Sequence, residues 1–123
     1  MHGLLAATAL GAYAFLYVIV VVLLIAGFWM LFTKANQPGW AALIPFYNLY
    51  ILLKVVGRPG WWLVLYFIPI VNVVILIIVD LDAAKSFGKG VGFGIGLIFL
   101  PYIFYPILGF GSATYRGPVA ATS

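Results

Sequence analysis

Two asparagines inside apolar stretches and two aspartates are the groups in this chain whose type and position allow chemistry. Asn48 and Asn72 close two copies of one motif. Pro38-Gly39-Trp40 leads to Ile44-Pro45-Phe46-Tyr47-Asn48, and Pro59-Gly60-Trp61 leads to Ile68-Pro69-Ile70-Val71-Asn72. An amide in an apolar setting costs about 1–3 kcal/mol when it lacks a partner, and a proline removes a backbone donor. Asn48, Asn72, Tyr47, Pro45 and Pro69 therefore mark a place where protein, not lipid, must surround the chain. Two readings stand: a polar substrate or ion site between broken helices, or an interhelical hydrogen bond that locks the bundle.

Asp80, Asp82, Lys85 and Lys89 make the one dense charge group. Asp82 with Lys85, and Lys85 with Lys89, have the i,i+3 and i,i+4 spacings of helix neighbours. Asp80 at a membrane edge can take up a proton or a cation; the alternative is a solvated, interfacial helix end with one ion pair. A pair of carboxylates without a nearby histidine is a weak metal signal, and the chain has no cysteine. No catalytic set, cofactor or metal is expected. His2 reads as a solvated terminal residue.

The elements that must position these groups are set by composition. Of 123 residues, 67% are hydrophobic and 7% charged, against about 25% charged in ordinary soluble domains. A soluble chain this small cannot hide so much apolar surface. The net charge of +4 comes from scattered basic residues, which suits headgroup contact and not a nucleic-acid footprint. The expected class is a polytopic, all-α integral membrane protein in one domain, residues 1–123.

Four apolar segments are expected, at about 8–32, 40–57, 61–82 and 91–111, followed by a frayed tail over 114–123. The first carries no charge from Gly3 to Thr33, which is too long for the apolar core of a secretory signal, so it reads as a retained span. The second reads as a crossing or as a re-entrant stretch, the other three as crossings. Four crossings make the two motif copies antiparallel, a small inverted repeat with Asn48 and Asn72 roughly 12–17 Å deep at about 1.5 Å per residue. Three crossings gather Lys34, Lys54, Arg58 and Arg116 on one side, the stronger positive-inside bias. Both arrangements put the C-terminus on the cytoplasmic side.

Gly88, Gly90, Gly92, Gly94 and Gly96 alternate, but the G-x-G-x-x-G order of a nucleotide loop is absent. Gly88, Gly92 and Gly96 have the small-xxx-small spacing that lets helix backbones touch. Gly88 also reads as a helix stop.

As a set, these motifs, with Gly57-Arg58-Pro59-Gly60-Trp61-Trp62, Ala84-Lys85-Ser86-Phe87-Gly88-Lys89-Gly90 and Tyr105-Pro106-Ile107-Leu108-Gly109-Phe110-Gly111, resemble a family of small bacterial integral membrane proteins of unknown function. The resemblance covers about residues 38–118. Members often carry the label signal peptidase I. That chemistry needs a serine nucleophile beside a neutral lysine on a sizeable domain outside the membrane. Ser86 adjoins Lys85, but no segment is long enough to build such a domain. The resemblance implies a bacterial cytoplasmic membrane protein. The reading is a non-enzymatic accessory or scaffold subunit, partnered by lipid and by another membrane protein or a second copy. The alternative is a small transporter or channel using the Asn48/Asn72 region.

Overall fold

The computed structural model describes residues 1–122, and Ser123 lies outside them. Among the described residues the chain is all-helical, with no strand. Helix α1 spans His2–Lys34. Its 33 residues extend about 50 Å at 1.5 Å per residue, beyond the roughly 30 Å of a hydrocarbon core. It is the one described helix long and apolar enough to cross a membrane.

The other three apolar stretches are not continuous helices. Residues 40–57 become a 3₁₀ segment, Gly39–Leu43, and helix α2, Tyr47–Val56. Residues 61–82 become a 3₁₀ segment, Gly60–Phe67, and α3, Val71–Ser86. The last stretch divides into α4, Val91–Phe99, and α5, Pro101–Phe110. Each break falls at a residue preceding proline. Ile44, Ile68 and Leu100 have φ of −103°, −97° and −132°, because the proline ring crowds the preceding backbone out of the helical well. Pro106, by contrast, stays inside α5.

Pro45 and Pro69 are followed by the same unusual turn. Phe46 has φ 66° and ψ −42°, Ile70 φ 72° and ψ −52°. Tyr47 N–H donates to the Pro45 carbonyl and Val71 N–H to the Pro69 carbonyl, both at 2.8 Å. These are γ-turns of the strained, positive-φ kind, at residues whose Cβ opposes it by about 1–2 kcal/mol each. The next donors fix the geometry, Asn48 N–H to Ile44 O at 3.0 Å and Asn72 N–H to Ile68 O at 2.9 Å.

The helix ends also share one design. Asn36, Gly57 and Gly88 adopt φ of 60°, 87° and 76°. Behind them Gln37, Arg58 and Lys89 N–H donate to the carbonyls of Phe32, Leu53 and Ala84 at 2.8, 2.9 and 2.8 Å. This is the pattern that satisfies the orphan carbonyls of a helix C-terminus. Gly57 follows Asn36 at the same interval as Trp61 follows Trp40, whereas Ile70 follows Phe46 at a longer one. The extra length lies in the 3₁₀ segments, of 5 and 8 residues, a difference of one 3₁₀ turn.

Short α2 forms the centre, with Ile51, Leu52, Leu53, Val55 and Val56 all buried. Around it, the second half of α1 lies on α5 and the first 3₁₀ segment, and α3 lies on α4 and the second. The closest approach joins α1 to α5. A Cβ on Gly27 would stand 2.8 Å from Pro106 Cα, and one on Gly109 would collide with the Gly27 carbonyl oxygen. Lys34 then closes the end of α5, its Nζ donating to the carbonyls of Leu108, Gly111 and Ala113 at 2.8, 3.0 and 2.6 Å. The segment after α5 is docked where fraying was expected. Arg116 N–H donates to Ser86 O at 2.6 Å and the Tyr115 hydroxyl to Val55 O at 2.6 Å, while a four-residue helix α6, Val119–Thr122, rests on α3 and α2. Burial holds the Tyr115 phenol above its ordinary pKa.

Candidate functional site

Both acidic residues of the chain are withdrawn from solvent, each 6% exposed. A buried carboxylate needs a compensating partner, and the two find different ones. Asp82 Oδ2 accepts a hydrogen bond from Arg58 Nε at 2.7 Å, the one ion pair among the described residues. Arg58 in turn lies over the Trp62 ring, 4.9 Å from its centroid. Asp82 thus pairs across helices and not with Lys85 one turn along. The reason is geometric: Arg58 leaves the end of α2 directly opposite α3, and its guanidinium is donor-rich and weakly hydrated.

Asp80 has no cation partner among the described residues. Its Oδ1 accepts the hydroxyl hydrogen of Tyr105, which α5 brings in fully surrounded by protein. Its Oδ2 accepts no hydrogen bond from the described residues. Beside the carboxylate lies a cavity of about 170 Å³. Tyr66 from the second 3₁₀ segment, Tyr105, and Phe28 from α1 contribute aromatic walls, and leucines fill most of the rest. Phe28 and Tyr105 stack at 4.5 Å between centroids. The arrangement is one carboxylate, with one oxygen lacking a donor among the described residues, in a cavity with aromatic and apolar walls.

The residues singled out from sequence fall in several places. Asn48 Nδ2 reaches the Ala42 carbonyl at 3.5 Å. No hydrogen bond joins Asn48 to Asn72 among the described residues. Tyr47 stacks between Trp40 and Tyr50, at 5.8 and 6.1 Å. Pro45 and Pro69 supply the γ-turn acceptors. Lys85 is exposed, and Lys89 lies 5.6 Å above the Phe93 ring. Gly88 is the left-handed stop after α3. A Cβ on Gly92 would meet nothing within 4 Å, while one on Gly96 would stand 2.7 Å from the Phe104 ring. Gly94 faces α3 closely, and a Cβ there would stand 2.6 Å from the Leu81 side chain. Ser86 is fully buried, and its Oγ accepts the Val119 N–H at 3.5 Å.

Tyr66, Tyr105, Phe28 and the pair Gly27/Gly109 were not singled out. A signal for Tyr105 existed: a phenol in an apolar helix needs an acceptor, and the chain has only two carboxylates to offer.

Fold and site together define a small all-helical protein with one helix able to span a membrane and both its carboxylates sequestered. The chain belongs to DUF5684, a family of unknown function that matches residues 40–118. The match takes in both 3₁₀ segments except Gly39, α2 to α5, and every residue lining the Asp80 cavity except Phe28, and it leaves out α1 and α6. No curated protein and no solved structure matches the chain.

Proposed function

We propose that this is a non-enzymatic integral membrane protein that serves as an accessory or scaffold subunit, joined to a membrane-protein partner or to a second copy of itself. One observation carries the reading. Residues 1–19 are exposed on every side of α1, with Leu5, Leu10, Phe15 and Val18 each more than half exposed, although this half of the helix has no charge. A helix apolar all round is a lipid- or protein-solvated helix, and its own chain covers only the second half. The other apolar segments then lie in the same bilayer, the two motif copies as an inverted repeat, with the C-terminus on the cytoplasmic side of a bacterial inner membrane. Burial of Ser86 supports a non-catalytic role.

The test is native mass spectrometry of the protein extracted in mild detergent. A stoichiometric homo-oligomer or discrete partner is expected, and a bare monomer at every concentration would overturn the reading. A small transporter or channel is the second reading. It is favoured by the half-helices α2 and α3, whose N-termini follow strained breaks just ahead of Asn48 and Asn72, as in transporters with discontinuous helices. Replacing both asparagines by leucine separates the two. Lost transport with intact assembly supports the transporter, whereas lost assembly or no effect supports the scaffold.

A further inference from the structure

The Asp80 cavity fits neither a scaffold's needs nor a simple packing defect. Cavities that stay empty are apolar, and a polar one takes an occupant that meets its polar groups; this one contains a carboxylate oxygen without a donor among the described residues. We propose that it binds the ammonium group of a small amphiphilic amine. Asp80 supplies the counter-charge through Oδ2, Phe28, Tyr66 and Tyr105 supply the aromatic wall, and the alkyl chain leaves through the mouth.

Size, chemistry and access each narrow the occupant. The volume of about 170 Å³ lies below the roughly 300–1,000 Å³ of sites for drug-sized ligands, so only a small head enters. A hard metal cation seeks six or more oxygens, and the polar groups here are one carboxylate and two phenols among leucines and a proline. An ammonium asks for less: a counter-ion and π faces, whose attraction is strongest where water is excluded. Of the lining residues, Leu49, Leu76, Ile98 and Pro101 are apolar and reach the surface, Leu76 being 42% exposed. That apolar mouth faces the surface that lipid would cover, so a charged head must arrive on an apolar tail. Of the cations near α3, Arg58 is committed to Asp82, Lys85 is exposed and Lys89 lies over the Phe93 ring.

The experiment is isothermal titration of the full chain in amine-free dodecylmaltoside micelles with hexylammonium chloride. Hexanol and sodium chloride serve as probes of the tail alone and the charge alone. Binding of hexylammonium about tenfold tighter than hexanol is expected, since a desolvated ion pair with π contact amounts to at least one such step. Asp80→Asn keeps an acceptor for Tyr105 but removes the charge, and should abolish that preference. Tyr66→Leu removes one π wall and should weaken hexylammonium about threefold while leaving hexanol unchanged. Equal affinity for hexanol and hexylammonium in the unaltered protein overturns the proposal whether or not the variants fold. So does an Asp80→Asn protein that binds hexylammonium unchanged, or sodium binding as tight as the amine. Adding phosphatidylethanolamine identifies the source: displacement assigns the site to a lipid headgroup ammonium, its absence to free amines, and either result keeps the ammonium site.

Discussion

The two halves of α1 are both apolar, the first rich in alanine and the second in valine, leucine and phenylalanine, and they have opposite surroundings. Around Gly27 the helix surface is filled by the backbone of Pro106 and Tyr105, and Leu31 and Phe32 are wholly buried. Around Gly11 a Cβ would meet nothing within 4 Å, and Leu10 and Tyr13 are 69% and 73% exposed. Apolar character alone therefore does not decide which half of this helix folds against the body, since both halves have it. What decides it is a place where two backbones can touch, Gly27 against Gly109, together with a cation at the helix end that reaches the carbonyls of α5. The family match begins after α1, so the compact part of the molecule is held by a helix outside the matched region.

The sharpest way to break this contrast is Gly27→Val. The atoms nearest a Cβ there are backbone atoms of Pro106 and Tyr105, at 2.8 to 3.2 Å, and backbone cannot swing aside as a side chain can. Overpacking of this kind costs about 1–3 kcal/mol, sometimes more. The body should lose thermal stability in detergent, with α5 and the Asp80 cavity disturbed first because Tyr105 lies in the same contact. A melting curve indistinguishable from the parent would show that α1 and α5 do not meet as described.

Lys34→Met is the intermediate case. It keeps the aliphatic stem and removes the ammonium that three carbonyls share. The loss should be about 1–2 kcal/mol, toward the lower end for hydrogen bonds to a charged group, because the three bonds are part-buried or exposed and water can replace the ammonium. Hydrogen exchange should rise at the end of α5 while α2 and α3 stay protected. Uniform loss of protection would assign Lys34 a role in the whole fold instead of one helix end.

Much of this fold was legible in local chemistry, and the failures are long-range. The breaks at Pro45, Pro69 and Pro101 follow from sterics that act between neighbours, and α3 ends just before Gly88, where a left-handed residue is required. The γ-turns were not legible. Phe46 and Ile70 are poor choices for positive φ, so propensity argues against the conformation that surrounding contacts impose. Asp80 was legible as costly but not as sequestered, because its partner Tyr105 comes from another helix and no periodicity links them. Asp82 offered a local partner in Lys85 and takes a distant one in Arg58. The alternating glycines drew attention to Gly92 and Gly96, while the tightest backbone contact joins Gly27 and Gly109, which lie on the first and fifth helices. Spacing within a helix reveals which faces can touch; it does not reveal which helix arrives.

The smallest effect belongs to the free half of α1. Gly11→Ala should raise helix stability by up to about 1 kcal/mol through propensity and leave the body's melting unchanged, since among the described residues nothing lies within 4 Å of the new methyl. Gly11→Leu turns the same position into a probe of what covers it. Lipid tails accommodate a leucine on an apolar helix without penalty, so oligomeric state and melting should both match the parent if only lipid is there. A partner helix that approaches closely at Gly11 would be pushed away, because small residues are what permit such approach. Assembly would then fall while the monomer's unfolding transition stays in place. That pattern, set beside the collapse expected from Gly27→Val, would show that α1 uses one glycine to hold its own chain and another to hold a neighbour.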